Sequence, residues 1–319
     1  MGIKVLQAGL LTTVQDLGRF GFQRYGMVVS GAMDSLALRL GNILLANDEN
    51  EAALECTMFG PTLSFEERRR IVLTGADLSA TLNGLPMPMW KPVLVNAGSI
   101  LSFGKVRYGC RCYICFEAGL SLEAVMGSRS TYLRAGIGGW KGRALQKDDY
   151  ISFRYENGKV LKGTHWRLGH MAYPDLAKRS IRVIEGPHYA QFDGRSQENF
   201  FDTSFLITNE SDRMGYRLAS TALRLKSPLE LLSSAVTFGT IQVPPEGQPI
   251  VLMADHPTTG GYPVIAQVIE ADLPLLAQLR PQDYIRFERV TVADAQQIVK
   301  DRHQQIQLLK RSIALKYEI

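Results

Sequence analysis

The feature that most constrains the fold is a nine-residue pattern that occurs twice. Residues 145–153 read LQKDDYISF and residues 279–287 read LRPQDYIRF, so both follow Leu-x-x-x-Asp-Tyr-Ile-x-Phe at a spacing of 134 residues. Each copy is typical of a turn that leads into a strand, and each precedes a change in composition. In a chain of 319 residues this repeat predicts two related β lobes that end in the same way.

Short strands separated by Gly, Pro and Asn dominate the rest of the chain, which is typical of antiparallel barrels or sandwiches. Strands are predicted at residues 70–74, 79–83, 92–95, 100–103, 110–116, 181–184, 240–243 and 250–253. Helices are few. Apolar residues at helical spacing predict one helix over residues 33–45, and a second is predicted from Val292, after a capping box of Thr291 and Asp294.

These patterns predict a mainly β protein with four segments. They are a first β-barrel lobe at residues 1–160, a connector at 161–180, a second β-barrel lobe at 181–291 and a C-terminal helix at 292–319. The connector is polar and rich in Gly and His, as linkers often are.

The composition excludes several functional classes. Hydrophobic residues make up 45% and charged residues 21%, which is ordinary for a globular protein. The basic residues are spread out and lack interleaved aromatic residues, so nucleic-acid binding is not expected. No apolar run could span a bilayer and no signal peptide is evident, so we expect a cytoplasmic protein without a membrane partner. The net charge of +5 fits a small anionic ligand.

Three of the four cysteines, Cys110, Cys112 and Cys115, lie close together. Their spacing is not the paired Cys-x-x-Cys of zinc sites, and a fourth ligand is not evident. The segment alternates like a strand, which places Cys110 and Cys112 on one face with apolar neighbours. We therefore predict buried thiols and no metal site.

Three polar segments are the candidates for a functional site. The first, residues 211–217 (SDRMGYR), places Arg213, Tyr216 and Arg217 around a glycine. Arginine binds carboxylate or phosphate in a two-pronged manner, and glycine lets the backbone approach a ligand closely. The alternative is a surface turn in which Asp212 pairs with Arg213, an interaction worth little.

The other two segments supply donors and acceptors for a planar N–C=O group. Residues 12–19 (TTVQDLGR) contribute Gln15 and Asp16, although Asp16 could equally form only a turn. Residues 258–263 (TTGGYP) follow Asp255, and Gln242 ends a predicted strand shortly before them; this third segment contributes Thr258, Thr259, Gly260, Gly261 and Tyr262. Its two glycines could instead form only a hairpin.

Several familiar motifs are absent or weak. The chain has no Walker A sequence and no Gly-x-Ser-x-Gly elbow, so neither a P-loop site nor a serine hydrolase is expected. Residues 136–142 are rich in glycine but lack the surrounding βαβ unit of a dinucleotide site. Residues 127–132 (GSRSTY) could bind an anion or could only cap neighbouring backbone. His188 and His256 follow strand ends, where ligands often bind, but a single histidine is more often structural.

Six ordered segments carry a resemblance to a known family. They are residues 10–19 (LLTTVQDLGR), 30–34 (SGAMD), 73–77 (LTGAD), 127–132 (GSRSTY), 211–217 (SDRMGYR) and 258–263 (TTGGYP). In this order, from about residue 3 to 290, the chain resembles the carboxyltransferase "subunit 2" family. That family includes the C subunit of 5-oxoprolinase, also called the KipI antagonist, and the corresponding region of urea carboxylase.

The resemblance implies two cyclophilin-like β-barrel subdomains, in agreement with the repeat. It also implies the B and A subunits of 5-oxoprolinase as partners, and the ATP-driven opening of 5-oxo-L-proline to L-glutamate. ATP with Mg²⁺ would bind this chain or its partner, with the interface between them as one option. The resemblance assigns no catalytic roles to residues.

The chemistry of that reaction suggests roles for the candidate residues. A lactam is a poor electrophile, and phosphorylation of its oxygen by ATP makes the carbon open to water. Arg213 and Arg217 are expected to meet phosphate or the substrate carboxylate, while Gln242 and Asp255 hold the N–C=O edge. Tyr216 and Tyr262 are expected to donate to the developing oxyanion.

Two alternatives stay open on the sequence alone. A biotin-dependent carboxylase of the urea type presents a similar planar N–C=O group, so the same pocket could serve carboxyl transfer. This chain has no Met-Lys-Met biotinyl motif, so biotin would arrive on another chain. The third possibility is a regulator without catalysis that binds a kinase inhibitor.

Overall fold

The structure is a computed structural model that describes residues 1–154, 167–169 and 172–317. The chain forms two compact units. Unit 1 comprises Met1–Arg19, Ser30–Pro174 and Gln304–Ile319, and unit 2 comprises Phe20–Val29 and Asp175–His303. Residues 161–166 and 170–171 of the predicted connector, and the last two residues of the predicted C-terminal helix, lie outside the described residues.

The described strands of unit 1 form two sheets around one apolar core. A six-stranded sheet has the order β11-β1-β4-β9-β6-β7, and a five-stranded sheet has the order β2-β3-β10-β5-β8. The strands are β1 Gly2–Gln7, β2 Leu11–Gln15, β3 Ala53–Thr57, β4 Thr62–Phe65, β5 Arg69–Asp77, β6 Thr81–Leu82, β7 Leu85–Pro86, β8 Val93–Val95, β9 Ile100–Ser102, β10 Tyr108–Phe116 and β11 Tyr150–Ser152.

The described strands of unit 2 form a closed seven-stranded barrel, in the order β12-β19-β16-β17-β14-β13-β20, and a two-stranded ribbon, β15-β18. The barrel closes through a parallel pairing of β12 with β20, and its other pairings are antiparallel. The strands are β12 Ser180–Glu185, β13 Phe205–Ile207, β14 Gly215–Ala219, β15 Ser234–Ala235, β16 Thr240–Gln242, β17 Ile250–Leu252, β18 Thr259–Gly260, β19 Val264–Val268 and β20 Tyr284–Arg289.

Helices are few, as the sequence predicts. The described residues contain four α-helices: α1 Ser35–Leu44, α2 Gly194–Asp202, α3 Leu273–Ala277 and α4 Val292–Tyr317. The Asp34 side chain caps α1 by accepting a hydrogen bond from the Ala37 N–H at 2.9 Å. The predicted capping box begins α4, because the Asp294 N–H donates to Thr291 Oγ1 at 3.1 Å. The mainly β fold is confirmed, and every predicted strand overlaps an observed one.

The repeated pattern forms the same turn in both units. Asp149 accepts a hydrogen bond from the Gln146 N–H at 2.7 Å, and Asp283 accepts one from the Arg280 N–H at 2.8 Å. The residue before each aspartate has a positive φ, 69° in the first turn and 75° in the second. Each turn leads into β11 or β20, whose apolar residues enter the core of their own unit. The sequence repeat is therefore a structural repeat.

The prediction that Cys110, Cys112 and Cys115 are buried thiols is confirmed. All four thiols are free and buried, and burial raises the pKa of Cys56 and Cys115 well above the ordinary thiol range. No group of His, Cys, Asp or Glu in the described part of the chain could hold a metal ion. No helix in that part is long and apolar enough to cross a membrane.

Candidate functional site

A buried ion pair organises the polar segments of unit 2. Arg213 donates from Nε to Asp255 Oδ2 at 2.9 Å and from Nη2 to Asp255 Oδ1 at 3.0 Å. The two residues are 7% and 5% exposed, so the pair lies largely out of water. This two-pronged geometry is the strongest form of Arg–carboxylate contact. Arg213 is predicted from the sequence to bind a phosphate or a substrate carboxylate, but in the structure its guanidinium binds the Asp255 carboxylate of the protein itself.

Local backbone geometry brings these two side chains together. Asp212 Oδ1 accepts from the Met214 N–H at 2.8 Å and the Gly215 N–H at 3.2 Å, which turns the chain into β14. The Asp255 N–H then donates to the Arg213 carbonyl at 2.8 Å, extending the pairing of β14 with β17. The surface pair of Asp212 with Arg213, the alternative interpretation of the sequence, is not the arrangement observed.

Gln242 lies against the glycine-rich third segment. Its Nε2 donates to the Tyr262 carbonyl at 3.3 Å, the one hydrogen bond of this carboxamide among the described residues. A Cβ on Gly260 would lie 2.5 Å from Gln242 Nε2, so only glycine permits this approach. Gln242 and the third segment are therefore in direct contact.

The third segment is a ribbon edge rather than a simple hairpin. Thr259 and Gly260 pair with β15, and Thr258 accepts a hydrogen bond from the Val236 N–H through its carbonyl. Thr259, Gly261 and Tyr262 are exposed. The Tyr262 hydroxyl is therefore available to a ligand.

The structure separates Tyr216 and Arg217 from this cluster. Tyr216 is 3% exposed, and its hydroxyl donates to the Leu279 carbonyl at 3.4 Å, as expected of a core tyrosine. Arg217 is exposed on β14, with its Nε 3.8 Å from the Glu210 carboxylate. Successive side chains of a strand point to opposite faces, so these two cannot serve one pocket.

His256 follows the ion pair directly. It is 8% exposed, and its Nδ1–H donates to the Pro257 carbonyl at 2.6 Å, because a carbonyl can only accept. Burial lowers the pKa of this imidazole below its ordinary value, against opposing effects of the Pro257 carbonyl and Asp255. The ring is therefore neutral near pH 7, with its acceptor nitrogen at Nε2.

In unit 1, Asp16 joins two of the polar segments. Its Oδ1 accepts from the Gly18 N–H at 2.8 Å, Ser128 Oγ at 2.7 Å and Ser130 Oγ at 2.5 Å. Its Oδ2 accepts from the Arg129 N–H at 2.6 Å. Because Asp16 is 1% exposed, the carboxylate is surrounded by protein donors. These contacts favour a structural role that fixes the hydroxyl-rich loop at residues 127–131.

Gln15 and Arg19 lie in the same buried cluster. Gln15 Nε2 donates to Thr13 Oγ1 at 3.0 Å and to the Thr131 carbonyl at 3.2 Å, while Oε1 accepts from none of the described residues. Arg19 is fully buried and donates to the Ser130 carbonyl at 2.5 Å. Gly138 packs directly on Ser130, so part of the glycine-rich loop covers the cluster.

Sequence reasoning missed a cleft in unit 2. A cavity of about 550 Å³ is lined by Gly261, Tyr262 and Pro263 from the third segment and by Arg224 and Leu225, among others. Arg224 lies in no recognisable motif, so the sequence carries no signal for it. Arg224 and Tyr262 line the same cleft only once the barrel has folded.

The chain is a mainly β protein with a closed seven-stranded barrel and a second β unit that contains the same turn. The sequence profile described as carboxyltransferase domain, subdomain A and B matches residues 25–289. The chain belongs to this family.

Three comparisons give its relatives. The chain is 43% identical to the C subunit of 5-oxoprolinase from Haemophilus influenzae over 293 residues, which cover 92% of this chain and 93% of that protein. It is 38% identical to the C subunit of 5-oxoprolinase from Escherichia coli over 307 residues, or 96% of this chain and 97% of that protein. The crystal structure of Kluyveromyces lactis urea carboxylase superposes with a TM-score of 0.89 at 30% identity, across 97% of this chain and 29% of that one.

Proposed function

We propose that this chain is the C subunit of an ATP-dependent 5-oxoprolinase complex that opens 5-oxo-L-proline to L-glutamate. The observation that carries the proposal is the 43% identity, over nearly the full length of both chains, to a protein named as the C subunit of 5-oxoprolinase. The site geometry is compatible with it, because Tyr262 lines an open cleft in unit 2 and the buried Gln242 carboxamide contacts the Tyr262 carbonyl behind it.

Gln242 and Tyr262 are the residues that best fit the reacting group. The Gln242 carboxamide makes one hydrogen bond among the described residues, so a second N–H and the Oε1 acceptor are left for a lactam N–C=O edge. The exposed Tyr262 hydroxyl can donate to the oxygen as negative charge develops there. The Arg213–Asp255 pair holds the segment on which these groups depend.

The arginine contacts bear on where ATP binds. Arg213 is committed to Asp255, and Arg217 lies beside Glu210, so neither offers an unopposed cation to phosphate oxygens. We therefore assign ATP and its Mg²⁺ to the B and A subunits, or to the interface that this chain forms with them. When bound, ATP supplies the activation of the lactam oxygen. The isolated chain is expected to be inactive.

Reconstitution with the two partner subunits tests the proposal. The complex should release L-glutamate only when ATP and 5-oxo-L-proline are both present. Tyr262→Phe should lower kcat about 10²–10³-fold, the usual effect of losing one oxyanion donor. Tyr284→Phe is the matched control, since Tyr284 is also an exposed tyrosine of unit 2 (57%, against 47% for Tyr262). Absence of ATP-dependent glutamate release by the wild-type complex would refute the proposal.

Carboxyl transfer from carboxybiotin to a urea-type acceptor is the second candidate. The superposition on Kluyveromyces lactis urea carboxylase favours it. Biotin would have to be supplied by another chain. Turnover that requires a biotinylated partner and bicarbonate, with no glutamate released, would select this candidate.

A further inference from the structure

The cleft beside Tyr262 has the character of a small-molecule site. Its volume of about 550 Å³ falls within the usual range for ligand pockets, and its walls include Phe192, Leu225 and Val243. Arg224 and Glu246 are the charged residues that line it among the described residues. An apolar cleft with few charged groups suits a small ring that carries one ionised substituent.

Hydrogen bonds of its main chain fix the position of Arg224 at this cleft. Its N–H donates to Ser196 Oγ at 2.8 Å, and its carbonyl accepts from the Asp193 N–H at 3.0 Å. Both partners belong to the start of α2, where Asp193 caps the helix. The Arg224 backbone is therefore fixed while its side chain is exposed.

The guanidinium of Arg224 differs from those of the two arginines in the 211–217 segment. Arg213 binds Asp255 in a two-pronged manner, and Arg217 lies 3.8 Å from Glu210. Within the part of the chain that the structure describes, no carboxylate forms an ion pair with Arg224; the Asp193 carboxylate attracts it only from a longer distance, without a hydrogen bond. Arg224 is thus the cation of this cleft that can bind an external carboxylate without first losing an internal one.

We propose that Arg224 binds the carboxylate of the lactam substrate, with the ring against the apolar walls and the reacting carbonyl toward Tyr262. This inference rests on the proposed function, whose substrate is a lactam that carries a carboxylate, and adds the residue that recognises that carboxylate. The residue determines specificity, because a urea-type or simple lactam substrate has no group for it.

The reconstituted complex provides the test. In Arg224→Gln, KM for 5-oxo-L-proline should rise about 10–100-fold with a smaller change in kcat, because a charge-assisted contact to the bound substrate is lost. Arg224→Lys should recover part of this loss, since lysine keeps the charge without the fork. Arg195→Gln is the matched control: Arg195 is an exposed arginine of α2 that does not line the cleft.

A second substrate distinguishes the loss of carboxylate recognition from a general loss of activity in the variant. The wild-type complex should prefer 5-oxo-L-proline over 2-pyrrolidinone, which lacks the carboxylate, and Arg224→Gln should reduce that preference by the same factor that it raises KM. An unchanged KM or an unchanged preference would overturn the role of Arg224 while glutamate release by the wild type upheld the proposed function. If the wild type released no glutamate, calorimetric binding of 5-oxo-L-proline would still decide the role. Loss of binding in Arg224→Gln alone would support it, and equal or absent binding in both proteins would overturn it.

Discussion

Separating the partners of the Arg213–Asp255 pair should destabilise unit 2 strongly. In Arg213→Met, the Asp255 carboxylate is 5% exposed and loses donors at 2.9 and 3.0 Å. Removing one member of a buried ion pair costs about 3–5 kcal/mol, because the other charge stays buried without its partner. At about 1.4 kcal/mol per factor of ten, this is a rise of about 10²–10⁴-fold in the opening of unit 2.

Hydrogen exchange followed by mass spectrometry measures this change in each unit separately. Unit 2 contains no tryptophan, so tryptophan fluorescence does not report on it. Amides of β14 and β17 should exchange faster by the factor given above, while peptides from β3 and β10 of unit 1 serve as the internal reference.

Two further variants make the test specific. Arg217→Met removes an exposed arginine four residues away and should change stability by less than about 0.5 kcal/mol. The double variant Arg213→Met/Asp255→Leu should be less destabilised than Arg213→Met, because it leaves no buried charge unpaired. Exchange accelerated less than about tenfold in Arg213→Met, or a double variant at least as destabilised as Arg213→Met, would refute this reasoning.

Three other perturbations have definite expected outcomes. The hydrogen bonds of Arg143 hold the pKa of Asp149 at about 2 against an ordinary 3.8. The pair therefore stabilises unit 1 above pH 3.8, and this stabilisation is lost as the pH falls towards 2. In urea titrations, Asp149→Asn should remove at most about 2 kcal/mol of this dependence of stability on acid. Burial lowers the pKa of His256 below 6.5, so on acidification the histidine of the unfolded chain takes up a proton before that of the folded chain. Unit 2 should therefore lose stability as the pH falls below 6.5, and His256→Gln should reduce this pH dependence of its stability, measured by hydrogen exchange. Gly260→Ala places a Cβ 2.5 Å from Gln242 Nε2, so the carboxamide must move, and kcat/KM of the complex should fall at least about tenfold.

Each of these three has its own control or contrary result. For Gly260→Ala the matched control is Gly194→Ala, where a Cβ meets nothing within 4 Å and a helix former should be neutral or stabilising by up to about 1 kcal/mol. Equal kcat/KM for the two alanine variants would contradict the role of the close approach at Gly260. For Asp149 and His256, variants whose stability follows pH in the same way as the wild type would contradict the stated cause.

Local patterns in the sequence were sufficient to predict part of the fold, although α2 and α3 and strands such as β3 and β19 were not predicted. The repeat at residues 145–153 and 279–287 forms one turn twice, because an aspartate that accepts from a backbone N–H and a residue with positive φ are both local requirements. Alternation and helical spacing likewise placed β10 and α1 within two residues of their observed ends. How the strands of unit 1 divide between two sheets could not be predicted, since strand partners are distant in sequence.

Distant contacts also decided what the candidate site residues do. The sequence indicated that Asp16 and residues 127–132 are polar and could bind a ligand. It did not indicate that Ser128 and Ser130 donate hydrogen bonds to the Asp16 carboxylate. Tyr216 and Tyr262 are the same type of residue, yet Tyr216 is buried in the folded barrel and Tyr262 is exposed. No local signal distinguishes these cases, because burial depends on the completed fold.

The same reasoning separates the arginines of unit 2 by function. The Arg213 guanidinium is buried, and its charge and two of its N–H donors are paired with the Asp255 carboxylate. Arg213 is therefore suited to holding loops in place. A guanidinium that lines a cleft without a hydrogen-bonded carboxylate of its own can bind the carboxylate of a ligand, as we propose for Arg224. The two residues should therefore fail in opposite ways. Arg213→Met should lose stability first and activity as a consequence, whereas Arg224→Gln should keep its stability and lose affinity for a carboxylate-bearing lactam.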